Sequence, residues 1–175
     1  RDAAAALYDF AARFTAFCRD EGSSETVWNL GRADLAPGAY NVVAREATLF
    51  VEYRDSSPAV LERIRQFVPE AATAAATAAN ATFDITPTMN TPPAPMDATL
   101  MQHIEDAANA LDAPNMRLPS GAGHDAMLLA PLLPTAMVFV PSIGGRSHDV
   151  IEDTGEADIA LGARVLAGAL DRLLD

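Results

Sequence analysis

"EATLFVEYRDSSPAVLERIRQF", residues 46 to 67, changes its hydrophobic period partway along, and the fold is read from that change. Up to Tyr53 the apolar side chains alternate, at Ala47, Leu49, Val51 and Tyr53, as they do on a half-buried strand. Beyond Pro58 they recur at spacings of three and four, at Leu61, Ile64 and Phe67 with Val68, which is the signature of a helix. Ser57 stands where an N-cap belongs and Pro58 at the first helical position, where a missing N–H costs nothing.

Upstream, "TVWNLGRADLAPGAY" reads as another strand, closed by a turn at Pro37 and Gly38. Residues 2 to 20 space Leu7, Phe10, Phe14 and Phe17 along one helical face, which Cys18 joins as a small buried side chain. Downstream, "AATAAATAAN" is expected to continue the helix past Pro69, because alanine is the best helix former. "ATFDITPTMN" alternates and predicts a third strand. Helix, strand, strand, helix, strand is an α+β order: an antiparallel sheet with two helices on one face.

"TPPAPMD", residues 91 to 97, changes the composition and sets a boundary, with one domain over 1–91 and a second segment over 92–175. In the second segment "DATLMQHIEDAANAL" predicts a helix with Leu100, Ile104, Ala107, Ala108 and Leu111 inward and His103 on its polar part. "TAMVFVPS", residues 135 to 142, is a continuous apolar run, as a strand buried on both faces is. "DTGEADIALGARVLAGALDRLL" places Asp153 and Glu156 at capping-box spacing ahead of a closing helix. Helix, buried strand and helix belong to an α/β sandwich that these elements do not complete. The chain also opens inside a helical pattern, so it is expected to be a piece of something larger.

The charge balance narrows the partners. Twelve Lys and Arg face 24 Asp and Glu, a net charge of −12, which argues against nucleic acid and anionic membrane surfaces. A single cysteine excludes a disulfide framework and a thiolate zinc cluster. No run of 18 apolar residues and no basic-then-apolar leader occurs, so a soluble, cytoplasmic protein is expected.

Two of the three histidines follow glycine-rich loops, in "SGAGHDA" (120–126) and "GGRSHDVIE" (144–152). His148 lies just past the predicted buried strand, where ligands collect in open α/β sheets, and Glu152 is placed to orient its imidazole. The other reading is a loop histidine satisfied by water. At His124 the loop meets a short helix, "HDAMLLAPL", which either offers backbone N–H groups to an anion or is simply capped by Ser120 or Asp125. Asn41 follows the Pro-Gly turn and either serves the turn backbone or a ligand. Arg54 ends its strand between Glu52 and Asp55, where it either makes a surface ion pair or grips a carboxylate through two parallel hydrogen bonds.

Together "PGAYNVVAREATLFVEYRD", "LPSGAGHDAM" and "MVFVPSIGGRSH" with Glu152 and Thr154 resemble the amidase/hydantoinase/carbamoylase group of dinuclear-metal hydrolases, relatives of aminoacylases and zinc carboxypeptidases. The resemblance implies that residues 1 to 91 are most of a lid or dimerisation domain and that 92–175 are the C-terminal segment of a catalytic domain. It implies a metal ligand at His148, substrate contacts from Asn41 and Arg54, usually across a homodimer, and a pocket lined by Gly121, Gly123 and His124. Two divalent ions, zinc or manganese, serve the complete enzymes, whose substrates are small carboxylate-bearing ureido acids or amides such as N-carbamoyl amino acids and allantoate. Val150 stands where the group has proline, and Ala44 and Arg45 where it has Pro-Gly. The group's His-x-Asp, bridging aspartate, paired glutamates, another metal histidine and first lid strand are expected upstream of Arg1. No catalytic residue is therefore expected within this chain, nor a tightly bound metal. The rival reading is a truncated product that only dimerises or binds a small carboxylate.

Overall fold

Helix α1 (Ala3–Glu21) begins where the Asp2 carboxylate accepts the Ala5 N–H at 3.1 Å. In this computed structural model, which describes residues 1–174, the chain forms two units, Arg1–Pro93 and the segment from Ala94 onward. In the first unit α1 is followed by strand β1 (Val27–Ala36), strand β2 (Glu46–Arg54) and helix α2 (Pro58–Ala78). Ser57 caps α2, Pro58 sits in its first turn, and the helix runs through Pro69 into the alanine-rich stretch.

The two strands pair antiparallel, from Val27 opposite Arg54 to Ala36 opposite Glu46. Their register slips between Asn29 and Arg32, a bulge that carries one extra residue on β1. Before it Trp28 and Leu30 face the helices; after it Leu35, opposite Ala47, does so. The bulge thus reconciles apolar residues that are out of phase along one strand, and it turns Arg32 outward over the Phe50 ring, 5.2 Å from its centroid.

Phe14, Cys18, Val60 and Ile64 form the buried centre, with Phe10, Phe17, Trp28, Leu30, Val51, Tyr53 and Val68 packed around it. Phe17 stacks on Phe67 with centroids 3.9 Å apart. At the far end the Asp2 N–H donates to the Ala79 carbonyl, so α1 and α2 run antiparallel, and Ala71 and Ala75 are fully buried. Burial pushes the Cys18 thiol up to about 11, which makes it a core side chain rather than a nucleophile. Val60, four residues before Ile64 on the same helical face, belongs to this core, whereas the spacing read from the sequence starts that face at Leu61, which is only half-buried.

The second unit holds helices α3 (Ala98–Asn109), α4 (Asp125–Leu129) and α5 (Glu156–Leu174), with a 3-10 turn at Ile143–Gly145. Ala107, Ala108 and Ala113 of α3 and its exit meet Val165 and Ala169 of α5, flanked by Ile104, Leu111 and Leu161. His103 is half-buried rather than fully solvated. The small residues set the helix spacing: a Cβ on Gly168 would lie 3.3 Å from that of Ala107.

Three expectations fail. Residues 81–90 and 135–142 are not strands; among the described residues the only sheet is β1–β2. Alternation at Phe83 and Ile85, or a solid apolar run at 136–140, shows that a segment suits a pleated or buried surface, but a strand also needs a partner edge. Neither segment finds one here, and Phe139 is 51% exposed. The capping box at Asp153 and Glu156 is also absent: α5 starts at Glu156 itself, and Asp153 accepts the Thr154 N–H through its carboxylate. The run at 135–142 is nevertheless held, by the Asp97 N–H on the Thr135 carbonyl and by Val140, which occupies the space a Cβ on Gly162 would need.

Ile64→Ala is expected to cost about 2–5 kcal/mol, because it opens a cavity against Phe14. Chemical denaturation followed by far-ultraviolet dichroism checks this. Gly162→Ala places a Cβ 2.4 Å from Val140 Cγ1, so residues 135–142 should gain amide exchange while α1 and α2 stay protected.

Candidate functional site

Arg54 is the last residue of β2, paired with Val27 at the open end of the hairpin. Its Nε and Nη2 donate to one oxygen of Glu52, at 2.8 and 2.5 Å. Val27, Trp28, Asn29, Glu52 and Arg54 line an open depression of about 360 Å³. The strand's pleat explains the grouping, since Glu52 and Arg54 both point away from the helices.

Asp55, expected as an alternative partner of Arg54, points the other way. It is 8% exposed and accepts the Ser23 hydroxyl at 2.6 Å, the Thr26 hydroxyl at 2.5 Å and the Ser57 N–H at 2.7 Å. Burial alone would raise its carboxyl, but the hydroxyls of Ser23 and Thr26 and the backbone of Ser57 and Ser23 together hold it below the ordinary value of 3.8.

Asn41 is exposed in the connection between β1 and β2, which is shaped by Gly38 at φ 73 and closed by the Arg45 N–H on the Ala36 carbonyl. It lies at the opposite end of the hairpin from Arg54, beyond a strand whose eight steps span roughly 26 Å. One copy of the chain therefore does not bring Asn41 and Arg54 to the same small molecule.

In the second unit His124 stands at the cap position of α4 without a side-chain cap bond. Ser120 does not cap the helix either; its hydroxyl lies 2.7 Å from His124 Nε2 and accepts the Ala122 N–H. The imidazole packs at an angle on Phe139, 5.4 Å between centroids. A five-residue helix adds little dipole, so the anion-site reading of this loop loses its physical basis. A Cβ added to Gly121 or to Gly123 would meet nothing within 4 Å.

His148 follows Gly144 and Gly145, and all three take positive φ, at 71, 65 and 58°. That conformation is uncommon for histidine and turns the exposed loop sharply. Glu152 reaches this residue, but through the backbone: its Oε2 accepts the His148 N–H at 2.7 Å, so it fixes the loop rather than the ring. Asp149 pairs with Arg146 at 3.1 Å. Among the described residues no group of three His, Cys, Asp or Glu is placed to hold a metal ion. His148 is therefore not joined, among the described residues, by the further donors that a complete metal site needs.

Sequence reasoning missed Ser23 and Thr26, and it gave Ser120 only a capping role. The missed signal is short-range: small hydroxyl residues flanking a carboxylate or imidazole at a turn are the usual local partners of such groups.

Residues 8–172 match peptidase family M20/M25/M40. The chain is 33% identical over 147 residues to allantoate amidohydrolase of Escherichia coli, covering 84% of this chain and 36% of that protein. It is 34% identical over 160 residues to N-carbamoyl-L-amino-acid amidohydrolase of Paenarthrobacter aurescens, covering 87% and 38%. Among solved structures, an amidase of the hydantoinase/carbamoylase family from Burkholderia phymatum superposes with TM-score 0.81 at 37% identity, over 99% of this chain and 42% of that one. AtUAH in complex with (S)-hydroxyglycine superposes with TM-score 0.87 at 28% identity, over the same shares. The chain thus spans about two fifths of the length of the proteins it matches. Among the described residues no helix is long and apolar enough to cross a membrane.

The lowered Asp55 carboxyl fixes a pH dependence. Its contribution to stability is complete above its unfolded value and is lost as pH falls through the lower native value. Denaturation midpoints between pH 2 and 6 should therefore fall toward acid in the wild type, and less steeply in Asp55→Asn.

Proposed function

We propose, since this chain belongs to peptidase family M20/M25/M40, that it forms part of an amidohydrolase cleaving a C–N bond of small ureido acids or N-carbamoyl amino acids. The observation that carries this reading is the match over nearly the whole chain to proteins named for such reactions, together with an arginine at a strand end beside an open depression. The (S)-hydroxyglycine in the AtUAH structure is a small carboxylate, the chemistry a guanidinium recognises.

In this reading the first unit is the lid and dimerisation domain and the second the C-terminal part of the catalytic domain. Arg54 binds the substrate carboxylate through two parallel hydrogen bonds, exchanging Glu52 for it. Asn41 offers an amide to the ureido group, and His124, held by Ser120 and Phe139, lines the pocket with Gly121 and Gly123. His148 is one ligand of a divalent metal, zinc or manganese, and Glu152 keeps its backbone in the left-handed turn. The remaining donors and the proton-transfer group are not among the residues placed here, so no bond-making step is assigned to this chain. The distance between Asn41 and Arg54 supports a site shared between two copies, which makes a homodimer part of the proposal, as is a cytoplasmic setting.

The test uses the intact protein from its source, assayed for hydrolysis of an N-carbamoyl amino acid and its carboxamide analogue. Arg54→Lys should raise KM for the acid about 10- to 100-fold, because an ammonium lacks the two-pronged grip, and should leave the carboxamide nearly unchanged. Equal losses on both substrates, or no hydrolysis of any ureido acid by the wild type, would overturn the reading. Light scattering should give a dimer at micromolar concentration, and a monomer would count against the shared site.

A further inference from the structure

We infer that Asp55 is a positioning residue for Arg54, holding the end of β2 so that the guanidinium stays at the depression it lines; this rests on the reading of Arg54 as the carboxylate-binding group. Two hydroxyl protons converge on this carboxylate. Thr26 Oγ1 already accepts the Ser23 N–H at 2.7 Å, and Ser23 Oγ already accepts the Glu25 N–H at 3.0 Å. Each hydroxyl therefore has its single proton left to give, and both protons go to the same oxygen, Asp55 Oδ2. The other oxygen takes the N–H of Ser57, the cap of α2.

These partners come from three different places. Ser23 and Thr26 lie in the turn between α1 and β1, Asp55 directly follows β2, and Ser57 opens α2. Thr26 immediately precedes Val27 and Asp55 immediately follows Arg54, and Val27 and Arg54 are the terminal pair of the sheet. The Thr26–Asp55 hydrogen bond is thus a side-chain rung one step beyond the last backbone pair, at the point where an unsupported hairpin would fray. A carboxylate is required, because an amide would have to aim its NH2 at the hydroxyl donors or at the Ser57 N–H. The same residue cannot be the partner of the guanidinium, since it is buried on the far side of the strand from Glu52.

A positioning role differs from a merely stabilising one in what happens at the guanidinium. In nitrogen-15 spectra of the protein, Asp55→Asn and Thr26→Val should shift the Arg54 Nε–H resonance and speed its exchange with water severalfold, whereas Thr26→Ser should restore the wild-type signal. Ile64→Val, which loosens the core without touching the knot, is the control and should leave that resonance in place. In the intact protein, the Kd of N-carbamoylglycine should weaken about tenfold in Asp55→Asn. The same substitution should add nothing in an Arg54→Ala background. An unmoved Arg54 resonance in Asp55→Asn, or a further loss in the double variant, would overturn the positioning role. Binding that ignores Arg54→Ala would overturn the carboxylate reading of Arg54, and the resonance alone would then decide whether Asp55 orders it.

Discussion

Burial of Phe14 and Ile64 between α1, α2 and the hairpin is the interaction on which the first unit rests. A two-stranded sheet is marginal in water by itself and becomes stable only by covering one face. Here both helices cover the same face, and Phe14 and Ile64 are each 0% exposed at the centre of the contact. The bulge between Asn29 and Arg32 follows from that requirement. Without it, the residues of β1 on one side of position 30 would face solvent whenever those on the other side faced the helices.

The parts of the fold legible in the sequence are those fixed by local physics. Alternation at Ala47, Leu49, Val51 and Tyr53, the Ser57–Pro58 start, and the three-four spacing of Leu7, Phe10, Phe14 and Phe17 each report a periodicity that the structure reproduces. The bulge is not legible, because a strand with a phase slip resembles one with irregular polarity. The strands expected over 81–90 and 135–142 fail for a different reason. Pairing is a long-range property, and an apolar run such as that ending at Val140 records only the surface a segment suits.

The candidate site divides in the same way. Residue identities and spacings single out Asn41, Arg54, His124 and His148, and all four lie in connections or at element ends, where a rigid frame presents side chains outward. Their partners are less legible. Spacing puts Glu152 at the imidazole, yet it bonds the backbone of His148, since a positive φ there leaves the N–H aimed at the next turn. Adjacency puts Asp55 at Arg54, yet it is buried on the opposite side, since successive residues of a strand point to opposite faces.

That opposition gives the two carboxylates beside Arg54 different work. Asp55 is withdrawn from water and receives three hydrogen bonds, so displacing it means breaking contacts to two hydroxyls and an N–H at once. Glu52 is half exposed and shares an exposed ion pair with Arg54, an interaction worth about 0–1 kcal/mol after screening. Of the two, the contact with Glu52 is the weaker, because water and salt screen an exposed pair. Burial therefore separates the two: Asp55 ties the end of β2 to the turn before β1 and to the start of α2, while Glu52 meets Arg54 at the solvent-exposed surface.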